Sequence, residues 1–348
     1  MDHTKVADFL GRFVTDMGAT GAAGQVSIGH RLGLYASLAV GPATPQQFAQ
    51  RTGYNERYLT EWLKGQAAGG YISYTPATGE YWLTEEAAFC LADPNGPNLP
   101  AAFVAVLGYL RAEPQLAEAF RTGEGVAWHE HHPDVFVGVD AFYRPGYVAE
   151  LVPNWIPALD GIEAKLIAGG RVADVACGLG SSSVLMAEAF PNTTVIGSDY
   201  HHESIERARK KAADAGLSDR VTFEVASAEG FSGTGFDLVT MFDALHDLGD
   251  PVSAARRVRQ ALAPDGAWLL VEPYAPENVE ETFNPVGRLY YAGTTFLCVP
   301  NAMSQHGGYA LGAQAGERPI REIAEQAGFT RFRQIAQTPF NLVYEIRP

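Results

Sequence analysis

An apolar run that ends in two closely spaced glycines, Val172-Ala173-Asp174-Val175-Ala176-Cys177-Gly178-Leu179-Gly180, leads straight into a helical segment at Ser181–Ala189. Few folds accept that order. Gly178 and Gly180 let the backbone approach a bound ligand closely where a strand turns into a helix. Short apolar runs then alternate with amphipathic segments to the end of the chain. The spacing predicts strands at Val172–Cys177, Thr194–Asp199, Val221–Ala226, Phe236–Phe242 and Ala267–Glu272, and helices at Ser181–Ala189, Glu203–Ala215, Pro251–Leu262 and Pro319–Ala327. That alternation is the signature of a doubly wound parallel sheet. Phe329–Ile335 and Asn341–Ile346 close the chain and add an antiparallel edge.

With 348 residues there is room for a second core. Residues 27–91 read as three helices and a hairpin: Thr44 caps a helix at Gln46–Arg51, Glu56–Ala68 follows, and Tyr71–Tyr74 and Tyr81–Leu83 flank a Pro-Ala-Thr-Gly turn. This is a winged-helix pattern. The expected organisation is a winged-helix domain over 1–96, a helical connector over 97–168 with an irregular stretch around His129–Tyr147, and an α/β domain over 169–348. Residues 275–318 break the alternation. An insertion of that length, leaving the carboxyl edge of a sheet, is expected to cover or line a site.

A glycine-rich turn also occurs in dinucleotide-binding folds, but here Ser183 replaces the third glycine of that fingerprint and Asp174 lies inside the strand end. Asp199 ends the next strand, where a carboxylate can accept from ribose hydroxyls. Together with Gly197-Ser198-Asp199-Tyr200, Ala226-Ser227-Ala228-Glu229 and Met241-Phe242-Asp243, these residues resemble the ordered motifs of class I methyltransferases. The resemblance implies a Rossmann-like, mostly parallel seven-stranded sheet. It also implies S-adenosylmethionine as cofactor, bound through Asp174, Gly178, Gly180, Asp199, Tyr200, Ser227, Ala228, Phe242 and Asp243. Ala176 stands where the family has its first glycine, a departure expected to tighten the sterics without abolishing binding.

Asp243-Ala244-Leu245-His246-Asp247 leaves the carboxyl end of the fourth strand of that domain, at the mouth of the cleft. Leu245-His246-Asp247 resembles the Leu-His-Asp-Trp motif of winged-helix O-methyltransferases, whose His is the general base; Leu248 replaces the Trp. Two chemistries remain open. His246 can take a hydroxyl proton. Alternatively, His246 and His306, with Asp247 nearby, can hold a transition metal such as iron or zinc that acidifies an α-keto acid. The second arrangement resembles the α-keto acid C-methyltransferases of antibiotic pathways and is the favoured reading of the sequence. Arg144 is a candidate anchor for a substrate carboxylate. His129, His131 and His132 read as a solvated loop in spite of their metal-like spacing, and His201 and His202 as residues that cap the next helix or brush the nucleoside.

Composition narrows the partners. A net charge of −15 repels a polyanion, and the third helix of the winged unit carries Glu56, Arg57, Glu61 and Lys64, with no basic stripe. The winged unit resembles the dimerisation domain of small-molecule O-methyltransferases, which implies a homodimer that binds no nucleic acid. The acceptor is expected to be an organic acid or an aromatic metabolite. Two rivals are a ligand-sensing regulator built on a methyltransferase-like domain and a nicotinamide-dependent dehydrogenase; the broken glycine fingerprint disfavours the latter. Three separated cysteines indicate a reducing compartment. No secretory signal and no membrane-length apolar run is apparent, so the expected location is the cytoplasm, away from any membrane.

Overall fold

The computed structural model describes residues 1–348, which fall into two compact units: 1–107 with 137–145, and 108–136 with 146–348. The first unit begins with a 29-residue helix, His3–Arg31, capped by Asp2, whose carboxylate accepts from Thr4 N and Lys5 N. Helices Leu34–Ala39, Pro45–Thr52 and Glu56–Ala68 follow, and then a hairpin of β1 (Ser73–Thr75) and β2 (Glu80–Trp82). Thr44 and Gln47 form a reciprocal capping box at the third helix, so the predicted Thr cap is present. Tyr35, Phe48, Leu59, Trp62 and Leu63 pack into one core. Trp62 is spent inside it, its Nε1 donating to Gln25 O at 2.9 Å. The same helix, Glu56–Ala68, pairs Arg57 with Glu61 on its exposed face.

Helix Pro133–Glu150 runs through the stretch expected to be irregular. Pro145 has no N–H to donate to Ala141 O, which would ordinarily interrupt the helix. Asn98 Nδ2 donates to that carbonyl instead, at 3.3 Å. This substitution of a side chain for a backbone donor has no local sequence signal.

The second unit is built on a seven-stranded sheet with the order β5-β4-β3-β6-β7-β9-β8. Its strands are β3 (Arg171–Val175), β4 (Thr194–Asp199), β5 (Val221–Val225), β6 (Phe236–Phe242), β7 (Leu262–Pro273), β8 (Arg331–Gln337) and β9 (Asn341–Arg347). The first five are parallel, and β9 lies antiparallel between β7 and β8. Neighbours along a strand serve opposite faces. Leu238 and Leu269 join one buried cluster, Val239 and Leu270 the other. With both faces covered, the strands read as continuous apolar runs instead of alternating ones. Chain order reverses between β3 and β6, so their carboxyl ends form the crevice where ligands bind in open α/β sheets. The insertion is largely helical, with helices Pro285–Gly293 and Val299–Ser304 joined by a wide turn over Thr294–Cys298.

Candidate active site

β3 ends at Val175, two residues before the expected boundary, because Ala176 takes φ +57°. The departure from glycine therefore acts on backbone conformation more than on space: an L-residue in the left-handed region costs about 1–2 kcal/mol. Gly178 (φ +53°) and Gly180 (φ +75°) share that conformation for different reasons. A Cβ at Gly180 would meet Phe223 at 2.8 Å and Ala208 at 2.9 Å, so close packing demands glycine there. A Cβ at Gly178 would meet nothing within 4 Å. The turn leaves open space in front of that glycine, which suits a ligand passing over the backbone.

Asp174 is fully buried, and its carboxylate accepts from Ser182 Oγ at 2.6 Å, Ser183 Oγ at 2.5 Å and Thr240 Oγ1 at 2.8 Å. Burial raises its pKa, and the three hydroxyls oppose that rise. It was expected to touch the cofactor; having no exposed surface, it instead clamps the turn to the following helix and to β6. Ser183, at the place of the missing third glycine, is one of its partners. Asp199 accepts from Gly178 N at 2.9 Å and His201 N at 2.8 Å, one on each oxygen. An ionised carboxylate has about four acceptor sites, so two remain for a pair of sugar hydroxyls. The open turn and this half-used carboxylate fit an adenosyl group.

Farther along the crevice, Ala228 and Phe242 are buried and Ser227 is exposed in a turn closed by Gly230 N to Ser227 O. Asp243 sits at φ +50° and accepts from Asn341 Nδ2 at 2.9 Å and Tyr147 Oη at 3.5 Å. Burial, then the negative charge of Glu272, pushes its carboxyl up to about 8.

His246 lies just beyond, in the single turn Leu245–Asp247, and is 4% exposed. Its Nδ1 is 2.6 Å from Glu272 Oε2, while Glu272 Oε1 accepts from Leu245 N at 2.9 Å. Its Nε2 is 3.1 Å from Asp247 Oδ1, a close ionic contact that lacks hydrogen-bond alignment. Burial pulls the imidazole down, but Asp247 and Glu272 outweigh it and hold its pKa well above 6.5. Glu272 is the functional partner that sequence reasoning missed. It ends a strand in a long apolar run, and only the parallel pairing of β6 with β7 brings it beside His246.

Three further residues were missed. The donor atoms that converge with His246 and Asp247 within 4.8 Å of one another come from Cys298, not His306. Burial raises the Cys298 thiol to about 11, which keeps it protonated and a poor metal ligand. Asn301 Oδ1 accepts from Trp128 N at 3.1 Å and Tyr200 Oη at 3.0 Å, and its Nδ2 donates to Asp247 O at 3.2 Å. Gln305 reaches Asp247 O at 3.0 Å and Gly249 N at 3.1 Å. The insertion thus grips the His246 turn through amides.

His306 is exposed. Gln305 and Tyr309 N both hold Gly249, and Gly307 and Gly308 take φ +93° and +54° between them. His306 is not among the donor atoms that converge on His246, so a metal site pairing the two has no support in this arrangement. Metal-assisted C-methylation of an α-keto acid loses its basis with that pairing. Arg144 is exposed, in the part of its helix that belongs to the first unit. His131 corrects the solvated-loop reading, for it is buried. His201 stands at the start of helix His202–Asp214, with Nδ1 2.8 Å from Ser204 Oγ.

Comparison with known proteins agrees with this geometry. Residues 167–328 match the methyltransferase domain family, and residues 20–93 match the Rv2258c-like winged helix-turn-helix domain. The uncharacterized methyltransferase YcgJ of Bacillus subtilis (strain 168) is 33% identical over 130 residues, covering 36% of this chain and 50% of that protein. The chain spans about half the length, or less, of the curated relatives it matches first. Among solved structures, the mitomycin 7-O-methyltransferase MmcR aligns over 99% of this chain and 100% of its own, with a TM-score of 0.68 and 21% identity. The O-methyltransferase NcsB1 from neocarzinostatin biosynthesis, in complex with S-adenosylmethionine and 2-hydroxy-5-methyl naphthoic acid, aligns over 94% and 95% with a TM-score of 0.62 and 19% identity. Such likeness establishes the fold. This chain therefore carries a methyltransferase domain preceded by a winged helix-turn-helix domain, in the architecture seen in S-adenosylmethionine-dependent O-methyltransferases of antibiotic pathways.

Proposed function

We propose that this protein is an S-adenosylmethionine-dependent O-methyltransferase of a small hydroxylated aromatic compound, with His246 as general base. The observation that carries the reading is the buried His246–Glu272 pair at the carboxyl end of β6. Glu272 holds the proton on Nδ1, which leaves Nε2 as the nitrogen that takes the acceptor's proton. When bound, S-adenosylmethionine supplies an electrophilic methyl group and a positive charge that favours the neutral imidazole. Asp199 and the Gly178 turn would hold its adenosyl part, with Ser227 and Ala228 at the adenine and Asp174 acting from behind the turn. Asp247, beside Nε2, stabilises the imidazolium that forms as the acceptor's proton passes to that nitrogen.

One neighbour of known structure is a mitomycin 7-O-methyltransferase and another holds 2-hydroxy-5-methyl naphthoic acid, which supports a small, hydroxylated acceptor with an aromatic ring. We infer that the working unit is a homodimer. Phe9, Leu10, Phe13, Val14 and Met17 form an exposed apolar stripe on helix His3–Arg31, suited to pack against a second copy. No helix is long and apolar enough to cross a membrane, and the reading places the enzyme in the cytoplasm.

Methyl transfer from labelled donor to a panel of phenols and α-keto acids, with and without a chelator, tests the proposal. Chelator-insensitive labelling of phenols that His246→Ala abolishes and His306→Ala leaves intact supports it. Labelling of keto acids that depends on His306 and is lost to chelator refutes it.

A further inference from the structure

A second feature of this unit lies beside the adenosyl grip, for His201 N donates to Asp199. A cleft of about 570 Å³ is lined by His129, His131, Phe136, Tyr200, His201 and Glu203, among others. That volume suits a small aromatic molecule. Its wall is tied to the base: Tyr200 Oη donates to Asn301, and Asn301 donates to the carbonyl of Asp247, next in sequence to His246. Ser227 and Ala228, assigned above to the adenine, are not among the lining residues.

The telling group is His131. It is 4% exposed, yet neither ring nitrogen has a hydrogen-bond partner. Buried polar atoms are nearly always paired, by protein, water or ligand. Burial lowers its pKa against the opposing pull of Glu130 and Asp247, so the ring is neutral and presents one N–H donor and one bare nitrogen. Phe136 packs on His201 with ring centroids 4.5 Å apart and on Trp128 at 5.5 Å, giving the cleft an aromatic wall. No Lys or Arg lines it, and Glu203 does. A carboxylate entering here would find no cation and one like charge. The imidazoles contribute to no group of three converging metal-ligand atoms.

We infer that His131 is a specificity-determining residue for the acceptor, and that it reads a neutral hydroxyl next to the one that is methylated. The cleft accordingly takes a neutral aromatic diol in preference to a hydroxy-carboxylate. A neutral hydroxyl matches a neutral imidazole because it can donate to the bare nitrogen or accept from the N–H, whichever faces it, whereas a carboxylate can only accept. The inference rests on the O-methyltransferase reading, which it deepens by naming the acceptor class.

Three naphthalenes differing at one position test it: 2,3-dihydroxynaphthalene, 2-naphthol and 3-hydroxy-2-naphthoate. Binding of each to the full chain is measured by calorimetry with S-adenosylhomocysteine present, and methyl transfer is followed in parallel, for wild type, His131→Leu and His131→Gln. The diol is expected to bind about tenfold more tightly than either partner, the loss of one paired hydrogen bond in a dry site. His131→Leu should erase that advantage while leaving affinity for 2-naphthol and S-adenosylhomocysteine unchanged, which also shows that the variant is folded. His131→Gln, which keeps a donor and an acceptor, should restore most of it. The inference is overturned if the hydroxynaphthoate binds best, if the diol's advantage survives in His131→Leu, if none of the three binds, or if His131→Leu weakens S-adenosylhomocysteine instead. His131-dependent diol binding without methyl transfer would sink the catalytic reading and leave His131 standing; methyl transfer indifferent to His131 would do the reverse.

Discussion

Replacing Glu272 by Gln perturbs the proposed base at its most exposed dependency. Glu272 is 1% accessible and serves two donors, His246 Nδ1 on one oxygen and Leu245 N on the other. A Gln side chain brings one acceptor to these two donors. If its oxygen stays on Leu245 N, its NH₂ faces Nδ1 and drives the imidazole proton to Nε2, the nitrogen that must accept. If it turns to His246, the buried Leu245 N–H is orphaned at a cost of about 1–3 kcal/mol. The first arrangement lowers kcat/KM by on the order of 10²–10⁴, the range between losing an orienting partner and holding the wrong tautomer. Charge loss acts separately. His246 is held well above 6.5 against its burial by Asp247 and Glu272. A base works deprotonated, so activity rises with pH through the His246 pKa, and removing one carboxylate moves that limb to lower pH by roughly 1–2 units. Glu272→Asp keeps the charge and should leave the limb nearly in place. The assay is kcat/KM against pH for 2,3-dihydroxynaphthalene, with ¹⁵N-imidazole NMR reporting tautomer and titration of His246 without substrate. An unmoved acid limb and a rate within about threefold of wild type would refute the reasoning.

Asn301→Ala removes the acceptor of Trp128 N and the donor to Asp247 O from a side chain 4% exposed. It should cost roughly 2–3 kcal/mol in chemical denaturation and lower kcat more than it weakens donor binding. Ala176→Gly relieves a left-handed φ of +57° worth about 1–2 kcal/mol and loses about 0.5–1 kcal/mol of backbone entropy. Stability should therefore hold or rise; a clear drop in the urea midpoint would show that the Ala176 methyl packs usefully. Charging the apolar stripe with Phe13→Glu and Val14→Glu should turn a dimer into a folded monomer by sedimentation velocity, and an unchanged wild-type-like dimer would place the interface elsewhere.

The fold was legible where chemistry repeats along the chain. The two-faced sheet announced itself in unbroken apolar runs, and the winged unit in its Thr44 cap and the Pro-Ala-Thr-Gly turn of its hairpin. The glycine turn after β3 was legible for the same reason, since Gly178, Gly180 and the Asp199 that accepts from Gly178 N lie near one another in sequence. What escaped was long-range. Glu272 meets His246 across 26 residues, Asn301 meets Trp128 across 173, and Asn98 rescues Pro145's helix across 43. No local pattern encodes such pairs. The His306 expectation finds no support because the donor atoms that meet His246 come from Asp247 and Cys298, and Cys298 lies 52 residues from His246 in sequence. Asp174 was recognised as important for the wrong contact: its hydroxyl partners Ser182, Ser183 and Thr240 become visible only when β3, β6 and the following helix are assembled.

The account stands on the turn after β3 and on Asp199 as a grip for an adenosyl group. Titration calorimetry of the intact chain with S-adenosylhomocysteine measures that directly. One site per chain is predicted, weakened at least about tenfold by Asp199→Ala through loss of two charged hydrogen bonds. Folded protein that gives no heat of binding, or an Asp199→Ala variant that binds as wild type does, would contradict it.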